Sequence, residues 1–171
     1  MSSAVQLEPR EQTNIADDLL IQFDSAQKLL IEAIAELANA TSRSSPDRSE
    51  YTNARLRISQ AESTRSAAFN SVCDFLRPLV APHQWTTIAA LRAADTGSRM
   101  YAAVHAAEWT DERIEADWQG YCLASKGMRM KLGEAIQRAR ALLCPLLEQV
   151  SKRRVSEAAL EDPRVVARRF Q

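Results

Sequence analysis

The sequence predicts an all-α protein: a long antiparallel helical hairpin, a short helical corner and a third long helix, together a helical-bundle architecture. Three observations predict it. The 171 residues include only 4 glycines and 6 prolines, and alanine is abundant. Chain breakers are therefore few, and so are side chains that lose χ1 freedom in a helical turn. Apolar residues recur at alternating steps of three and four through three long segments, which places them on one helix face each. Between those segments lie clusters of turn and capping residues. A hydrophobic content of 46% beside 26% charged residues supports a packed core over disorder.

Residues 1–12 read as a flexible arm, 13–150 as one helical-bundle domain, and 151–171 as a basic C-terminal tail with at most a short helix at "SEAALED". The first helix is expected to start at Asn14, a capping side chain with Asp17 three residues on. Its seam is Leu19, Phe23, Ala26, Leu30, Ala33 and Leu37, and Leu20, Ile31 and Ile34 widen the buried face. Ser45 as cap with Pro46 at the first helical position begins the second helix, because proline lacks only an N–H that has no partner there. Its seam reads Tyr51, Ala54, Ile58, Ala61, Arg65, Ala68, Val72 and Phe75, and it stops near Pro78. Two such helices joined by a short loop form an antiparallel pair.

Two short helices follow, one from Pro82 to "DTGS" and one from about Ser98 to Glu108, with Gly97 between them at the corner. A helix-turn-helix fits this segment poorly, because Arg92 and Ser98 stand where that motif packs apolar side chains. The third long helix has a strong start signal: Thr110 as cap, with Trp109 before it and Ile114 after it as a hydrophobic staple. Its seam runs Trp118, Tyr121, Ser125, Met128, Leu132, Ala135, Ala139, Leu142 and Leu146, with Pro145 ending or bending it.

That helix holds Gly120, Gly127 and Gly133, three of the four glycines of the chain. Each costs about 1 kcal/mol relative to alanine inside a helix. Met128 and Leu132 keep the phase of Tyr121 and Ser125, which favours one continuous helix over a break at Lys126–Gly127. Gly120, Ala124 and Gly127 then form a close-contact strip flanked by Arg113, Lys131 and Arg138, a place for another helix of the same or a second subunit. Glu134 within the strip argues against phosphate as its main target.

Arg65 is the one charge in an apolar seam. Reflection of the hairpin about its loop brings it near Asp24, so an Asp24–Arg65 pair is expected to fix the register.

Function is narrowed chiefly by exclusion. The chain has 2 histidines, His83 and His105, neither in the Glu-x-x-His spacing that carboxylate-bridged metal bundles use, so no metal, no other cofactor and no catalytic residue is assigned. Cys73, Cys122 and Cys144 are too widely spaced for a zinc knuckle and sit beside apolar seam residues, where burial raises a thiol pKa. They read as reduced thiols of a cytoplasmic protein, with no secretory leader and no run apolar enough for a membrane. Net charge is formally zero, but acids crowd the first 40 residues and bases the last third.

The leading expectation is a non-catalytic protein that works through protein–protein contacts, as a small subunit or adaptor of a larger assembly or as a homo-oligomer. The alternative is a nucleic-acid-backbone-binding subunit of a ribonucleoprotein complex, using Arg113, Lys131, Arg138, Lys152, Arg153, Arg154, Arg168 and Arg169. A third is a small-molecule sensor with a pocket among Trp85, Trp109, Trp118 and Tyr121.

Overall fold

The computed structural model describes the backbone of residues 9–160 and the side chains of residues 14–152. Among the described residues the fold has five helices: α1 (Pro9–Ala40), α2 (Arg48–Leu76), α3 (Pro82–Glu108), α4 (Asp111–Ala116) and α5 (Trp118–Leu160). The protein is all-α among the described residues. Four long helices run up, down, up and down. The antiparallel registers are marked by Asp24–Arg140 between α1 and α5, Arg55 to the Ala106 carbonyl between α2 and α3, and Lys131 over Tyr101 between α5 and α3. The six-residue α4 turns the chain from α3 into α5.

The expected hairpin forms, with its loop where the turn residues stand, but its caps move. Helix α1 already begins at Pro9, so Asn14 lies inside it and caps nothing. Four residues of the expected arm are thus helical, and residues 1–8 lie outside the described part. The cap of α2 is Asp47, whose carboxylate accepts from the Glu50 N–H at 3.1 Å; Ser45 and Pro46 precede it. An aspartate one residue past the proline outcompetes the serine, because its charge also complements the positive helix end. The seam of α1 is buried from Phe23 to Leu37 as its spacing predicts, Leu19 is half-buried, and Ile31 faces outward. The seam of α2 drifts: Ala68 and Phe75 are half-buried, and Phe69, Cys73 and Leu76 take the interior.

The expected corner at "DTGS" is absent. Helix α3 runs unbroken through Gly97 for 27 residues. The side chains that suggested a turn are absorbed by the helix: Thr96 and Ser98 donate back to the Arg92 and Ala94 carbonyls, and Asp95 is buried against Arg65. The real corner comes later. Thr110 caps α4 from the Arg113 N–H at 3.3 Å, and Trp109 and Ile114 are buried around it, as the staple requires. The third long helix therefore does not start at Thr110 as expected: the chain breaks at Asp117 (φ −138°, ψ 72°), whose carboxylate accepts from the Gly120 N–H at 2.9 Å and so starts α5. From there α5 continues 43 residues, through Gly127, Gly133 and Pro145, and takes in the segment expected to be a tail as far as Leu160. Pro145 costs about 3 kcal/mol in a helix interior. The buried Leu143, Leu146 and Leu147 around it offset that, at roughly 1.5–3 kcal/mol for each side chain enclosed.

The core has two apolar halves. One gathers Leu30, Leu37, Tyr51, Ile58, Trp118, Tyr121 and Leu132; the other gathers Phe23, Phe69, Val72, Ile88, Leu91 and Leu143. Between them lies a polar layer. Gln27 of α1 sits between Phe23 and Leu30, Arg65 of α2 between Ala61 and Phe69, and Asp95 of α3 between Leu91 and Ala102.

Candidate functional site

Arg65 is completely enclosed, and it meets Asp95 of α3 and Glu62 of its own helix. The expected Asp24–Arg65 pair does not form: Asp24 reaches Arg140 of α5 at 3.3 Å instead. Hairpin reflection about Arg43 missed the level by about one turn, since the Glu36–Arg57 pair sets Gln27 and not Asp24 opposite Arg65, and it could not foresee α3, which brings a second carboxylate to the same guanidinium. Arg99 of α3 adds a fourth charge, 3.8 Å from Glu62, so the layer is electrically balanced. Burial alone would push the Arg65 pKa down; its bonds to both carboxylates hold it raised, and it stays charged.

Helix α3 stands close to α5 and away from α2, and long guanidinium side chains span the wider gap. Arg55 donates to the Ala106 carbonyl at 2.9 Å, and Arg92 reaches Asp74 and Asn70 at 3.0 and 3.1 Å. Where apolar side chains fail to meet across this gap, a cleft of about 330 Å³ remains, within the range of ligand-sized cavities. Leu37, Ile58 and Met128 form its floor, while Arg55, Ser59, Glu62, Ser63, Arg99 and His105 stand around it.

His105 is buried, and burial holds its imidazole below the ordinary value. Its Nε2 lies 3.4 Å from the Ser125 hydroxyl and its ring packs on Tyr121 at 5.8 Å. Ser125 is wholly enclosed, so this pair offers no accessible nucleophile. The thiols are not activated either: burial pushes Cys73 up to about 11 and raises the half-buried Cys122 and Cys144. Among the described residues no group of three or more His, Cys, Asp or Glu side chains gathers as a metal site.

The aromatic set proposed as a sensor pocket is solid. Trp109 and Trp118 pack on Tyr121 at 5.5 and 5.7 Å, Tyr51 closes the cluster, and the Trp118 indole donates to the Arg43 carbonyl at 3.0 Å. Trp85 lies apart, beneath the Arg77 guanidinium.

The close-contact strip resolves residue by residue. A Cβ at Gly127 would lie 3.7 Å from the Tyr101 hydroxyl, and Lys131 sits 3.9 Å from the centre of the Tyr101 ring. The helix that comes close there is therefore the chain's own α3. Gly120 serves the cap: a Cβ would fall 2.1 Å from the Asp117 carboxylate. Ala124 packs against the first core half, and Gly133 faces open space. Arg113 belongs to α4, stacked 4.4 Å over Trp109. Arg138 pairs with Glu134 at 3.6 Å and Lys152 with Glu148 at 3.2 Å. Arg153 and Arg154 lie on α5 with side chains outside the described set, and Arg168 and Arg169 lie outside the described residues.

What periodicity overlooked is the outward side of α3. At 100° per residue, Thr86, Ala93, Gly97, Met100, Val104 and Ala107 share it, and all six are exposed. Met100 is 63% and Val104 51% exposed. Arg92, Asp95 and Arg99 all turn toward α2 or the core, so this side carries no charge from Thr86 to Val104; Glu108 follows at its C-terminal end. The signal lay in "AALRAADTGSRMYAAVHAA", where every charge falls on the inner half of the helical wheel. Reading the segment as two helices concealed it.

Comparison with protein-family models, with curated proteins and with solved structures gives no match for this chain. Among the described residues no helix is long and apolar enough to cross a membrane.

Proposed function

We propose that this protein acts without catalysis, through protein–protein contacts, and that its contact surface is the outward side of α3 paired with the same side of a second copy. The observation that carries this reading is Gly97. It lies at the centre of the uncharged side, inside a helix where it costs about 1 kcal/mol, and a Cβ there would meet nothing of its own chain. Packing within one chain gives no reason for a glycine there, as it gives none at Gly133; what sets Gly97 apart is its place at the centre of the uncharged side, where two helices crossing would use it. An uncharged surface is also compatible with a copy of itself, since no like charges meet across a two-fold axis.

Size sets the strength. A 27-residue helix is about 40 Å long and about 10 Å wide. One side of it offers roughly 400 Å², half the roughly 800 Å² per partner of a stable interface. The pair is therefore expected to be concentration-dependent, as suits a subunit that a larger assembly completes. The unpaired Cys73, Cys122 and Cys144 fit a reducing, cytoplasmic setting.

Gly97→Cys tests the geometry. A symmetric crossing brings the two introduced thiols within disulfide range, Cα to Cα about 4.4–6.8 Å. Mild oxidation is expected to give a covalent dimer from Gly97→Cys and none from the exposed control Gln137→Cys. Equal yields from both would discard the proposed face. The nucleic-acid reading gains no comparable support, because Arg113, Lys131, Arg138 and Lys152 each have a partner within the chain.

A further inference from the structure

The cleft between α2 and α3 has a chemistry that dimerisation through the outward side of α3 does not use. Its floor of Leu37, Ile58 and Met128 is apolar. Its rim is rich in donors: the Arg55 and Arg99 guanidiniums and the Ser59 and Ser63 hydroxyls. The one carboxylate there, Glu62, already accepts from Arg65 at 3.0 and 3.1 Å. Arg55 is held in place by the Ala106 carbonyl, and Asp111 lies 3.5 Å from it. Arg99 touches Glu62 only at 3.8 Å, through Nε, so the rest of its fork is left for another acceptor. A guanidinium fork is shaped to hold a carboxylate by two parallel N–H bonds.

We infer that this cleft binds a small amphipathic carboxylate, its apolar body on Leu37, Ile58 and Met128 and its head on Arg99. An apolar floor with a few converging polar groups is the usual make-up of a small-molecule site, and 330 Å³ admits a ligand of this kind. A cationic head would meet two guanidiniums, and a neutral one would leave the outer N–H groups of the Arg99 fork without a charged acceptor.

The test compares octanoate, octanol and octylamine on the full-length protein by titration calorimetry, with thermal shift as a second readout. Octanoate is expected to bind saturably, at least tenfold more tightly than either of the others. Arg99→Gln is expected to bring octanoate down to the level of octanol, and Ala103→Phe, which fills the cleft from its exposed edge, to weaken all binding at least tenfold. Arg57→Gln, whose partner is Glu36 on the other side of α2, is expected to change nothing. Absence of saturable octanoate binding, or equal affinities for the three compounds, overturns the inference on the native protein alone, whether or not the variants fold. Loss of binding in Met100→Glu/Val104→Glu would place the ligand on the outward side of α3 and overturn it as well.

Discussion

Arg65 of α2 gives its guanidinium to two carboxylates at once, Glu62 one turn earlier in the same helix and Asp95 across the gap on α3. All three lie in the layer that divides the core. This is the buried one of the ties that hold α3 to α2 where apolar packing does not reach, beside Arg55 on the Ala106 carbonyl and Arg92 on Asp74 and Asn70. Removing one partner of a buried pair leaves the other charge enclosed and costs about 3–5 kcal/mol. Asp95→Leu is expected to fall at the lower end, because Glu62 remains on Arg65. Chemical denaturation measures it; a loss below about 1 kcal/mol would mean that α3 is held elsewhere.

Gln27 belongs to the same layer and gains less from it. Its side chain is fully buried, and neither amide atom has a hydrogen-bond partner among the described residues. An enclosed, unbonded polar group costs about 1–3 kcal/mol. Gln27→Met keeps the shape and removes that cost, so it is expected to stabilise the protein by about 1 kcal/mol or more. A destabilised variant would show that the amide is bonded in solution.

The four glycines separate by what surrounds them. Gly133→Ala meets nothing within 4 Å, and Gly127→Ala makes an ordinary contact with Tyr101; each is expected to gain about 0.5–1 kcal/mol. In Gly120→Ala the new methyl displaces the Asp117 carboxylate, and loss of that cap, about 1 kcal/mol, cancels the gain. Gly97→Ala is expected to raise monomer stability like Gly133→Ala while weakening self-association. Thermal melts with light scattering on the same samples read both effects.

These glycines also mark how far the sequence could be read. The seams of α1 and α5 followed from spacing, since a stripe at steps of three and four must be buried whatever it packs against. The staple around Thr110 was legible for the same reason: it is local. What escaped was set by distant residues. "DTGS" resembles a turn until Asp95 has Arg65 to bind and the hydroxyls of Thr96 and Ser98 have their own helix to bond. Asp24 lies about one turn from the level of Arg65, and which carboxylate reaches that guanidinium depends on where α3 lies. Gly127 was correctly placed inside a helix, yet the neighbour it admits is within the chain.

His105 supplies a pH dependence. It faces the Tyr121 ring and Ser125 hydroxyl of α5, Arg55 of α2, Glu108 of its own helix and Arg129 of α5. Burial lowers its folded pKa below the unfolded value, so the unfolded chain takes up the proton more readily. Its contribution is complete above about pH 6.5 and is lost as pH falls below that. Wild type is expected to lose more thermal stability than His105→Gln between pH 7 and pH 5. Parallel losses would show that this imidazole is as well hydrated as in the unfolded chain.

The most direct measurement is the mass of the full-length chain in solution across a concentration series, by light scattering or sedimentation equilibrium, for wild type and for Met100→Glu/Val104→Glu. Both positions are more than half exposed, so the double variant keeps the fold. Wild type is expected to rise with concentration from the 19.1 kDa of one chain toward twice that value, and the double variant to stay at one chain throughout. A wild type that remains at the mass of one chain, or a dimer that the two glutamates leave intact, would contradict pairing through α3.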